Sequence, residues 1–301
     1  MKKPTIFSKF QIKAFLIGVA SFLILNAKAA IAQDPFRQAN QRPISDTTEA
    51  AFEAMFITGN YQQASQILKT APPEIDPLAY ALMASLAYTE EEWETVKKAA
   101  DKTRFYAQEI GDSDPLRRDL YLAVSYFLEG SYLFEVEGAF SVFKNLQKML
   151  HYLELAEKHN PEDPELNLIK GYLDLILAVN LPFFEPEHAI ARFEKYASPH
   201  YLVDRGLAIA YRDLEDYEKA LVAVNKALAA TPDNPEIHYL KGQILYNLAK
   251  ETRRREQAEA AVKHFESAIV RSDQLPESIS KPYEREHRLA QELFRKLTIS
   301  N

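Results

Sequence analysis

From Asp46 onward, apolar and small residues recur three and four positions apart, and pairs of such runs are separated by breaks containing proline. This spacing puts the apolar positions on one side of an α-helix, so the pattern predicts a succession of amphipathic helices. The clearest stretch has Leu207, Ala208 and Tyr211 in a first helix and Asp216-Tyr217 at a turn. Ala220, Val224 and Ala227 follow in a second helix that closes at Pro232. Ala208 and Ala220 are expected where two antiparallel helices cross, because a small side chain lets the backbones approach. Pro232 ends the second helix, having no N–H with which to continue it.

The unit recurs along the chain. Gly242 follows Ala208 by 34 residues and opens a copy that has Leu245 and then Ala261, Phe265 and Ala268, with about seven extra residues near Lys250 to Glu256. Upstream, Lys170-Gly171 with Ala189, Phe193 and Tyr196 forms a copy containing six inserted residues. Leu122-Ala123, Tyr126, Met149, Leu153 and Ala156 form another, Met83-Ala84, Trp93, Val96 and Ala100 a divergent one, and Phe52, Met55, Gly59, Ala64 and Leu68 the first. These residues resemble the tetratricopeptide repeat, with its L-G-x2-Y, A-x3-F and closing P. The resemblance implies an all-α, right-handed solenoid of antiparallel helix hairpins, about six of them over residues 46–275, with a concave face lined by first helices. Residues 276–301 are expected to add a cap helix with Leu289, Leu293 and Leu297 on one face.

The N-terminus reads differently. Lys2, Lys3, Lys9 and Lys13 surround the start of an apolar run from Ala14 to Leu25, and Ala30-Ile31-Ala32 precedes Gln33, so residues 1–32 have the form of a secretory signal peptide. The run is shorter than the roughly 20 residues a spanning helix needs. The chain is therefore expected to be exported, to a periplasmic or equivalent compartment, with Gln33 as its first mature residue. Residues 33–45, polar and without period, are expected to be a flexible lead-in.

Charge and cysteine content narrow the chemistry. The formal net charge of −7 becomes −12 once the segment with its five lysines and no acid is removed, which predicts no nucleic-acid partner. There is no cysteine, so stability is expected from packing alone and no thiol mechanism is open. The seven histidines show no metal-ligand spacing, and no phosphate loop or nucleophile elbow is present, so no catalytic residue, metal or cofactor is expected.

By resemblance, function lies in the concave lining. The residues expected there are Arg205, Ile209 and Arg212 from one first helix, Tyr239, Gln243 and Tyr246 from the next, and Tyr172 from the copy before. Arginine and tyrosine suit a protein or extended-peptide partner, because they bury much area with little rotamer loss. The reading is an exported binding scaffold. Its first rival is an assembly factor or chaperone at the membrane surface, using Phe183 and Phe184 in the inserted loop; membrane contact is not the favoured expectation. An enzyme on a helical scaffold is the second rival.

Overall fold

The structure is a computed structural model and describes residues 33–70, 76–180 and 186–299. The signal-peptide segment and the Phe183-Phe184 pair lie outside the described residues. Thirteen α-helices follow among those described: α1 (Asp46–Phe56), α2 (Tyr61–Thr70), α3 (Pro77–Thr89), α4 (Trp93–Ile110), α5 (Pro115–Glu137), α6 (Phe143–His159), α7 (Pro164–Asn180), α8 (Pro186–Lys195), α9 (His200–Asp213), α10 (Tyr217–Ala230), α11 (Pro235–Thr252), α12 (Arg255–Ile269) and α13 (Glu277–Ile299). They pair as six antiparallel hairpins, and α13 packs on the last of them.

Local chemistry sets the ends. Ser45, Asp76, Asp114, Asp216 and Asn234 each accept a backbone N–H of the helix they precede, satisfying donors that the first turn leaves unpaired. Proline opens α3, α5 and α11, where its missing N–H costs nothing. The turns inside five hairpins place one residue in the left-handed region, Gly59, Glu91, Gly138, Glu215 and Arg253. At Glu91 and Glu215 the next N–H reaches back to Ala87 and Tyr211, closing the helix end.

Packing within a hairpin relies on small residues in the first helix and a large one in the second. A Cβ added at Gly171 would lie 2.6 Å from the Phe193 ring, and one at Gly242 would lie 2.9 Å from Phe265. Ala208 and Ala220 are both fully buried at their crossing. The extra residues near Lys250 to Glu256 lengthen the hairpin at its tip: Lys250 to Thr252 extend α11 to 18 residues, Arg253 and Arg254 make the turn, and Arg255 and Glu256 open α12. In the cap helix Leu293 and Leu297 are buried, whereas Leu289 is 41% exposed, so the expected three-leucine face is two leucines wide. Tyr283 and Ala290 complete it.

The ends of the array meet. Tyr61 Oη of the first hairpin donates to Glu236 Oε2 of the sixth at 3.0 Å, and Asn234 Nδ2 donates to the Phe56 carbonyl at 3.3 Å. Ser278 Oγ at the start of α13 donates to the Thr89 carbonyl at the end of α3. The solenoid thus closes on itself, and α3, apolar on all sides with 11 of 13 residues buried, passes through its interior.

Residues 33–45 are packed rather than flexible. Asp34, 5% exposed, accepts from the backbone N–H groups of Phe36 and Arg42 and from Arg37. Phe36 packs edge-on against Phe52, with ring centres 5.4 Å apart. The segment's polarity suggested solvent, but its charges have partners more than seventy positions away, which local composition does not reveal.

Candidate functional site: the concave face

Four acids and three arginines from distant parts of the chain converge beneath the lead-in. Arg37 Nη2 donates to both oxygens of Asp163, at 2.7 and 2.6 Å, and its Nη1 donates to Glu165 at 3.1 Å. Arg42 reaches Glu165 at 2.8 Å and Asp114 at 2.7 Å. Arg117 donates to Asp76 at 3.2 Å and to the Pro43 carbonyl at 3.1 Å, and Tyr121 Oη donates to Glu165. Burial pushes the Glu165 carboxyl up, but Arg37, Arg42 and Arg117 outweigh it and hold the group below its usual range. Every partner is supplied by the chain itself, so this network clamps the lead-in to hairpins three and four.

The expected groove residues divide into two sets. Arg205 is 6% exposed and donates to both oxygens of Glu236, at 3.4 and 3.3 Å. Tyr172 is buried, with its hydroxyl on the Leu202 carbonyl at 2.8 Å and its ring edge-on to Phe193. Tyr239 is buried and stacks on Tyr283 of the cap, ring centres 4.1 Å apart. These three are corrected from partner contacts to packing, because the first hairpin closes over the Arg205–Glu236 pair, α9 and Phe193 pack on Tyr172, and the cap helix covers Tyr239. Ile209, Arg212, Gln243 and Tyr246 remain half-exposed. Arg212 Nη1 donates to Gln243 Oε1 at 2.8 Å and Gln243 Nε2 donates to Glu286 at 2.9 Å, a polar chain linking hairpin five, hairpin six and the cap.

An apolar cleft stays open nearby. A cavity of about 110 Å³ lies between α3, α5 and α7, with Leu82, Ser85, Val124, Phe127, Ile169 and Tyr172 in its wall. Phe36 and Phe56 complete the lining, and the Glu165 and Tyr121 side chains supply its polar edge. Val124, Phe127 and Ile169 are half-exposed at this face. Nothing in the sequence shows that hairpins two to four leave a hollow between them.

One further feature is an exposed tip. The long third hairpin ends in a turn at which Phe140 is fully exposed, Phe143 64% and Val136 51% exposed.

Comparison with known proteins bears on the architecture. Residues 209–248, from the middle of α9 into α11, match the family described as TPR repeat. A search of curated proteins finds no match. Among solved structures, the chain is similar to the human IFIT1 dimer with m7Gppp-AAAA, at 18% identity over 98% of this chain and 74% of that one, with a TM-score of 0.47. It is similar to a monomeric IFIT1 mutant with Gppp-AAAA at 17% identity, over 97% of this chain and 74% of that one, with the same TM-score. Both hold a nucleotide ligand on a chain of helices. The expectation of no nucleic-acid partner, drawn from net charge alone, is withdrawn: net charge averages over a surface whose patches differ in sign, and it does not exclude such a ligand. The chain is an all-α solenoid of helix hairpins that carries a TPR repeat over residues 209–248.

Proposed function

We propose that the chain is an exported helical scaffold that holds a partner protein at its concave face and carries no chemistry of its own. The observation behind this reading is the apolar cleft between α3, α5 and α7, which stays open where the lead-in, the first hairpin and the cap have covered the surrounding surface. A hollow lined by Leu82, Val124, Phe127 and Ile169 suits one apolar side chain of a partner, because burying it there removes area from water on both sides. The half-exposed Ile209, Arg212, Gln243 and Tyr246 offer a polar rim further along the same array.

The test is a photo-crosslinking residue placed at Phe127 or Tyr246 and activated in the producing cells. Discrete adducts at both positions, lost when Ile169→Asp is added in protein that melts like the parent, are the expected result. Adducts formed from the exposed second-helix position Val222 and not from Phe127 or Tyr246 would move the partner to the outer face and end this reading.

A further inference from the structure

The turn between α11 and α12 carries Lys250, Arg253, Arg254 and Arg255, all exposed. None of the four forms an ion pair with a carboxylate among the described residues; Glu259, which feels the Arg255 charge, is held by Lys263. The end of α13 lies against this turn: the Arg255 guanidinium sits 5.2 Å from the centre of the Phe294 ring, and Arg255 Nε donates to Thr298 Oγ1 at 3.2 Å. Arg295, also exposed, follows Phe294 in α13. Five cations thus gather where Glu251, Glu256 and Glu292 are the nearby exposed acids. The rest of the chain is acidic, but exposed charges beyond about 10 Å are largely screened, so this corner presents a positive field of its own.

Stability does not account for the arrangement. Arg254 occupies the N-cap of α12 without making a side-chain cap bond, and Arg255 is the first residue of that helix, where a carboxylate and not a cation is favoured. Arg253 adopts a left-handed backbone conformation, φ 61°, at a position that glycine usually fills. Beside these cations Ile299 is 86% exposed.

We propose that this corner is a docking surface for an anionic lipid bilayer, with the arginines on headgroup phosphates and Ile299 at the acyl boundary. The inference goes beyond partner binding at the concave face and is independent of it. Clusters of this size and sign are what anionic membrane surfaces attract, and arginine suits phosphate through its planar fork of donors. An exposed aliphatic tip among cations fits a bilayer interface better than a nucleic acid, which would seek open aromatic faces for its bases. The aromatic ring beside the arginines, Phe294, is already covered by Arg255. Among the described residues no helix is long and apolar enough to cross a membrane, so the contact is peripheral.

Co-sedimentation of residues 33–301 with vesicles tests it, comparing phosphatidylcholine alone with a mixture containing phosphatidylglycerol. Expected are binding to the anionic vesicles only, weakening as salt is raised, and a loss of about tenfold or more in R253E/R254E/R255E protein. Ile299→Asp should also weaken binding while both variants melt like the parent. Equal binding to neutral vesicles, unchanged binding by the triple variant, or loss in Phe140→Ser/Phe143→Ser protein instead would overturn the assignment. So would capture of a single-stranded RNA oligonucleotide through the same arginines without vesicle binding.

Discussion

The Tyr61 hydroxyl donates to the Glu236 carboxylate at 3.0 Å across 175 positions of sequence, and the same carboxylate holds Arg205. Removing each partner should therefore cost unequal amounts. Tyr61→Phe loses one hydrogen bond to a charged group, about 1.5–3 kcal/mol. Glu236→Ala strands the buried Arg205 cation and should cost about 3–5 kcal/mol. Urea unfolding of both variants measures the difference, and equal losses would mean that Arg205 finds another partner.

Phe193 lies between Gly171 of its own hairpin and Gly206 of the next, where an added Cβ would stand 2.6 and 2.5 Å from the ring. Gly206→Ala should overpack this contact and cost about 1–3 kcal/mol. Adding Phe193→Leu should return part of that loss, since the ring is the obstacle. Thermal melts of the single and double variants decide it, and strictly additive losses would place the strain elsewhere.

The lead-in clamp gives a third expectation. Arg37→Ala leaves Asp163 and Glu165 with Arg42 as their remaining direct ion pair, both acids being almost fully buried. A loss of about 3 kcal/mol is expected, the lower end for breaking a buried pair. Limited proteolysis should then cut between residues 33 and 45, where the parent resists. Resistance equal to the parent's would show that Phe36 packing alone holds the segment.

Burial, and then the neighbouring Glu49 carboxylate, push the Glu53 carboxyl up to about 7. The unfolded chain loses the corresponding proton near about 4.3. Between these values the native state binds more protons, so this residue makes stability fall as pH rises from about 4.3 to 7. Glu53→Gln should flatten that slope and melt above the parent at pH 8. Parallel pH profiles for the two proteins would count against the assignment.

His264 shifts the opposite way. Burial, with Lys241 and then His238 adding positive charge, lowers it to about 4, while in the unfolded chain it titrates near about 6.5. Stability from this residue is present above about 6.5 and is lost as pH falls toward 4. Its ring proton resonances should stay at the neutral position at pH 5.5 in an NMR titration. A midpoint near 6.5 would contradict the packing described for the His238–His264 pair, whose Nδ1 atoms are 3.1 Å apart.

The hairpins were legible because each is a local object. The spacing from Ala208 to Gly242, the prolines, and the alanine and phenylalanine pairs mark helix crossings that lie a few dozen residues apart in sequence. The lining was less legible. Spacing put Arg205, Tyr172 and Tyr239 on first helices, but their burial depends on Tyr61, Leu202 and Tyr283, which arrive from other hairpins or the cap. The lead-in was misread for the same reason: Arg37 and Arg42 look solvated until Asp114, Asp163 and Glu165 are brought beside them. That the cap helix ends against Arg255 likewise depends on a contact across 39 or more positions of sequence.

Closure of the sixth hairpin and the cap onto the first has a consequence for how the protein comes apart. An open array has two free ends that can fray and a length that can grow by adding units, because each unit leans only on its neighbours. Here the first and last units hold each other through Tyr61, Asn234 and Glu236. Melting from one end would break that seam at once, so loss of structure should be shared by the whole molecule, and inserting or deleting one hairpin would pull the seam out of register.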